Sequence, residues 1–78
     1  MDEELLAVRI LPQQLVEARK AAGLSMAEAA RRLGIVRQRL NHYEKGHDRP
    51  YGDIVARMCR LYNCRIEDLS SEKNFACL

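Results

Sequence analysis

Apolar positions along the chain recur at steps of three and four residues, and each recurrent stretch stops at a glycine or an asparagine. Leu11, Leu15, Ala18 and Ala22 form the first stripe. They predict a helix that starts near Pro12, since proline suits the first turn, where its missing N–H costs no bond. Gly23 supplies a left-handed stop, and Arg19 and Lys20 near the end complement the helix dipole. A second helix begins at Ser25, an N-cap type, with Glu28 three positions on completing a capping box. Its inward stripe is Ala29, Ala30 and Leu33, and the small Ala30 lets another helix come close. Gly34 ends it and opens a tight turn.

The third helix is predicted over about Arg37 to Lys45, stopped by Gly46, with Val36, Leu40 and Tyr43 inward. Arg37, Gln38, Asn41, His42 and Lys45 then share the opposite side. A fourth helix over about Gly52 to Tyr62 carries the core stripe Val55, Met58, Cys59 and Tyr62, with Asn63 as its left-handed cap. A short fifth helix, about Ile66 to Leu69, buries Ile66 and Leu69. The pattern therefore predicts a domain over residues 11–70, an N-terminal extension over 1–10 and a tail over 71–78. In the extension Leu5, Leu6, Val8 and Ile10 are apolar without a cap or a period, which leaves an arm, a half-turn and a dimerising strand all open.

Composition narrows the class. A chain of 78 residues is one small domain, able to bury only about 60% of its surface. Two prolines, four glycines and few β-branched residues favour an all-α fold. The three cysteines, Cys59, Cys64 and Cys77, are odd in number and contain no CxxC pair. That argues against a disulfide framework and against zinc, and fits a reducing, cytoplasmic setting. Asp2, Glu3 and Glu4 stand where a signal peptide would be basic. No apolar run approaches the roughly 20 residues that span a bilayer, so no membrane partner is expected.

The net charge of +2 implies little, but its distribution is uneven. Between Arg31 and Arg49 lie Arg31, Arg32, Arg37, Arg39, Lys45 and Arg49, with His42 and His47, opposed only by Glu44 and Asp48. Such a stripe in a near-neutral chain is the footprint of a phosphate-backbone partner. His42 and His47 with the cysteines match no metal-site spacing. No nucleophile–base pair stands out, so no enzyme, cofactor or small-molecule effector is expected.

Over residues 11–69 the chain resembles the Xre/Cro/phage-repressor helix-turn-helix family. The matching residues are Leu15, Arg19, Gly23-Leu24-Ser25, Ala30, Leu33-Gly34-Ile35, Leu40, Glu44, Gly46 and Pro50, then Met58-Cys59 and Ile66-Glu67-Asp68-Leu69. The resemblance implies a compact five-helix bundle of the lambda-repressor-like type, with the second and third helices forming the helix-turn-helix. The third helix would enter the major groove of double-stranded DNA. Arg37 and Gln38 would lead the base-reading set, with Asn41 and His42 a turn further on. Arginine can bond guanine O6 and N7, and glutamine or asparagine adenine N6 and N7, each pair discriminating by about 1–3 kcal/mol. Phosphate contacts would come from Ser25 and Met26 at the start of the second helix, from Arg39, and from Lys45, His47 and Arg49. Arg19 and Glu44 would form a partly buried ion pair that positions the third helix.

Two residues depart from the family pattern. Met26 replaces a usual glutamine, and Val36 stands where serine or threonine usually caps the third helix. The function implied is sequence-specific transcriptional regulation, repression in particular, by a homodimer on a pseudo-palindromic operator. A chain with no room for an effector domain would be a stand-alone regulator of the Cro type or an antitoxin autorepressor. Leu69, Phe75 and Leu78, or the N-terminal extension, are the candidate dimer surface. The alternative is a protein-binding adaptor or antitoxin-like module that keeps the fold without DNA readout.

Overall fold

The computed structural model describes residues 10–70. Leu5, Leu6, Val8, Phe75 and Leu78, weighed above, lie outside the described residues. Five helices follow in order: α1 Pro12–Ala21, α2 Met26–Leu33, α3 Arg37–Lys45, α4 Gly52–Tyr62 and α5 Ile66–Ser70. Among the described residues there is no strand, and no helix is long and apolar enough to cross a membrane. The helices pack as a bundle, with α1 against α3, α4 and α5, and α2 against α3 and α4. Leu15, Leu33, Leu40, Met58 and Leu69, fully buried and drawn from all five helices, form the centre of the core. Burying a side chain of this size contributes about 1.5–3 kcal/mol, so these contacts hold the helices at their angles.

Four helices end by one device. The N–H of Leu24 donates to Arg19 O at 3.2 Å, Ile35 to Ala30 O at 3.0 Å, His47 to His42 O at 2.9 Å, and Cys64 to Cys59 O at 3.0 Å. Each is the long closing bond of a helix terminus, and it needs one left-handed residue inside the loop it closes. Gly23, Gly34 and Gly46 fill that role at φ 74°, 79° and 81°, and Asn63 at 55°. Asparagine tolerates this region better than other side chains do, because its short amide can bond locally.

Several sequence expectations are corrected at helix ends. Ala22 is exposed because α1 stops at Ala21 and the chain turns away before the stripe repeats. Val36 is 68% exposed. It is the N-cap residue of α3 at φ −75°, ψ 151°, so its side chain does not follow the helical face. Ile66, the first residue of a helix little more than one turn long, is 44% exposed, while Leu69 alone reaches the core. Leu69, at 0% exposure, cannot contribute to a dimer surface. Leu11 and Cys59 are half-buried, Cys59 packing against the core's edge. The fifth helix also runs one residue further than predicted, to Ser70.

Two cross-chain ties complete the frame. The N–H of Leu11 donates to Leu69 O at 2.9 Å, and the buried Gln14 donates through Nε2 to Asp68 O at 3.0 Å. Together they fasten α5 to the start of α1.

Candidate nucleic-acid interface

The candidate interface is built from α2, its turn and α3. Ser25 Oγ accepts from the N–H of Glu28 at 3.1 Å, which caps α2. The reciprocal half of the predicted capping box is not made. The Glu28 carboxylate runs along the helix instead, to Arg31 and to Arg32 Nε at 2.7 Å. Those arginines hold it below the usual carboxylate range. The spacing was available in the sequence, since charges three and four apart on a helix are neighbours. Gly34 then turns the chain into α3. Arg57 on α4 donates through Nη1 to Leu33 O at 3.1 Å, bracing this turn from behind. No periodicity in the sequence points to Arg57, because the bond depends on how α4 lies across α2.

Along α3 the alternation is clean. Leu40, Tyr43 and Glu44 are buried, while Arg37, Gln38, Arg39 and Lys45 are exposed and Asn41 and His42 half-buried. Val36 makes no side-chain cap bond. Arg39 lies to one side, its guanidinium carbon 6.0 Å from the centre of the Tyr43 ring. His47 and Arg49 are exposed on the following loop, whose Asp48 accepts from the Arg49 N–H at 3.1 Å. The His42 and His47 rings sit 5.8 Å apart, brought together by the closing bond of α3. Ser25 is exposed at the opposite end of the motif. Met26 is half-buried and packs its side chain against the core. Its N–H and that of Ala27 belong to the first turn, where no intrahelical acceptor exists.

Glu44, the one acid within α3, faces inward with its side chain 3% exposed. Arg19 donates to it through Nε at 2.8 Å and Nη2 at 3.1 Å, and through Nη1 to Leu24 O at 3.0 Å. The bond to Glu44 raises the Arg19 pKa further. A planar guanidinium matches a carboxylate in this paired fashion, where an ammonium would supply only a point charge. One side chain thus joins the end of α1, the entry to α2 and the last turn of α3.

Charge accounting then separates the basic stripe. Glu28 pairs with both Arg31 and Arg32 and offsets one of their two charges, and Arg19 neutralises Glu44. Among the described residues, Arg37, Arg39, Lys45 and Arg49 take part in no ion pair. They are left with Gln38 and Asn41 on a polar, basic outer surface. No group of three or more His, Cys, Asp or Glu side chains among the described residues could hold a metal.

Comparison with known proteins fits this geometry. The helix-turn-helix family model matches residues 15–69. The HTH-type transcriptional regulator ImmR of Bacillus subtilis (strain 168) is 38% identical over 53 residues, which are 68% of this chain and 42% of that protein. The chain therefore spans less than half the length of that relative. Among solved structures, the DNA-binding domain of the P22 C2 repressor superposes with a TM-score of 0.73 at 15% identity, covering 86% of this chain and 93% of that one. That likeness is one of fold.

Proposed function

The chain belongs to the helix-turn-helix family, and from that premise we propose that it is a sequence-specific, double-stranded-DNA-binding transcriptional regulator that acts as a repressor. The similar ImmR is named a transcriptional regulator, and the similarly folded P22 domain comes from a repressor. The observation that carries the reading is the division of α3. Its acid is buried on Arg19, and its outer face keeps unpaired cations and amides.

In this reading α3 lies in the major groove. Arg37 and Gln38, in its first turn, meet base edges, followed by Asn41 and His42. Ser25 and the N–H groups of Met26 and Ala27 hold one phosphate at the α2 terminus. Arg39, Lys45, His47 and Arg49 meet the backbone on the other side. The polar character of this face weighs against an adaptor, whose docking surface would be a contiguous apolar patch.

A single α3 reads too few base pairs for high specificity, so two copies act on a pseudo-palindrome with half-site centres about 34 Å apart. Selection of bound sites from random duplexes tests the whole reading. The expected outcome is an enriched motif with two-fold symmetry, and selection that returns no motif overturns it.

A further inference from the structure

A groove of about 730 Å³ lies between the start of α4 and α5, with Ile10, Val55, Cys59, Cys64 and Ile66 among its walls. Cys59 and Cys64 are free thiols, each partly exposed. They are the two residues joined by the closing bond of α4, the Cys64 N–H donating to Cys59 O at 3.0 Å. This type of terminus sets the side chains of the two joined residues on the same side of the helix end, and both Cys59 and Cys64 line the groove. The fold therefore holds two thiols side by side at the edge of an apolar groove, and nothing in the proposed DNA contact uses them.

The environment selects the chemistry. Burial pushes the Cys59 thiol up and the Cys64 thiol up to about 12, so both keep their protons at neutral pH. Thiolate reactions such as disulfide exchange are slow for such a pair. Two thiols are also too few for a structural zinc site, which takes four ligands. A soft ligand that takes both sulfurs at once and carries an apolar group suits the pair and the groove together.

We propose that Cys59 and Cys64, with the apolar groove beside them, form a binding site for a trivalent organoarsenical. In the oxide form the arsenic–oxygen bond breaks and two arsenic–sulfur bonds form. Both thiol protons leave with the oxygen as water, and no atom changes oxidation state. The organic group on arsenic lies in the groove against Ile10, Val55 and Ile66. Because the thiols are already adjacent, the second arsenic–sulfur bond closes at high effective concentration and outcompetes a monothiol.

Phenylarsine oxide tests the site on the free chain, without DNA, so the result is independent of the DNA-binding reading. Trypsin cleaves after Arg57, Arg60 and Arg65, which separates Cys59 (residues 58–60) from Cys64 (residues 61–65). The expected product of the treated native chain is these two peptides joined through one phenylarsenic group. Peptides that stay separate, or a bridge that runs to Cys77, overturn the proposal. As a second measurement, Cys59→Ala and Cys64→Ala should each weaken retention against glutathione by about 100-fold, while Cys77→Ala retains it. Unchanged retention in Cys59→Ala contradicts the site, and the peptide bridge in the unaltered chain decides even if that variant fails to fold.

Discussion

Arg19 and Glu44, 25 residues apart in sequence, meet through two parallel hydrogen bonds at 2.8 and 3.1 Å. With side-chain exposures of 12% and 3%, the pair is largely withdrawn from solvent. Among the described residues, Glu44→Ala leaves the guanidinium with Leu24 O as its one hydrogen-bond partner. Removing one member of a buried pair costs about 3–5 kcal/mol, and the lower end applies here because Arg19 retains some contact with water. Denaturant unfolding should show a loss near 3 kcal/mol. The double change Arg19→Met with Glu44→Leu should recover most of it, since neither charge is then stranded. A loss below about 1 kcal/mol in the single variant, the value of an exposed pair, would show that the pair does not brace α3.

Tyr62 contributes its ring to the core, but its hydroxyl is buried without a hydrogen-bond partner among the described residues. Burial, and then the nearby Glu44 charge, push its pKa up to about 12. The unfolded chain releases this proton near pH 10. Between pH 10 and about 12 the native state thus holds more protons than the unfolded one, and stability falls as pH rises. Tyr62→Phe should be neutral or up to about 1 kcal/mol stabilising at pH 7, since it removes an unsatisfied buried group. It should also flatten the alkaline loss. Cys64, likewise raised to about 12, leaves a residual slope. Thermal melts from pH 8 to 11 check both points.

Gly46 and Gly23 share a left-handed backbone but not their surroundings. A Cβ on Gly46 would stand 3.3 Å from Pro12 Cγ, whereas one on Gly23 would meet nothing within 4 Å. Both alanine variants incur the backbone strain of about 1–2 kcal/mol. Gly46→Ala adds a clash between the end of α3 and the start of α1, so it should lose more stability than Gly23→Ala. Equal losses would mean that α1 yields freely at Pro12.

Val36 caps α3 with no side-chain bond while being 68% exposed. Val36→Thr keeps the branched shape and adds an oxygen that can accept from the first turn. A gain of about 0.5–1 kcal/mol is expected in denaturant unfolding. No gain would indicate that the hydroxyl does not reach an N–H of that turn.

The helix boundaries were legible because their signals are local. Ser25 as a cap, the glycines and Asn63 as left-handed stops, and the three-and-four stripes need no knowledge of the rest of the fold. The misplaced residues, Ala22, Val36 and Ile66, all stand at ends, where the helical period no longer governs direction. Bonds from Gln14 to Asp68 O and from Arg57 to Leu33 O were not legible, since they depend on how helices cross. For the interface, periodicity alone grouped Arg37, Gln38 and Asn41 on one face. Which cations remain available required the structure, because it fixes Glu28 on Arg31 and Arg32 and turns Glu44 inward. The inward packing of Met26 was equally unreadable, as one thioether suits the core and the surface alike.

The central claim is that α3 reads bases while the flanking cations hold phosphates. The most direct test is a salt titration of affinity for a selected duplex, repeated with Gln38→Ala and Arg49→Ala. The unaltered chain should lose affinity steeply with salt, the logarithmic slope being about −0.9 per phosphate neutralised. Arg49→Ala should weaken all duplexes alike and reduce that slope by about 1. Gln38→Ala should leave the slope intact and relax preference at one base pair. Affinity that is flat with salt, or two variants that weaken every duplex equally, would contradict the account.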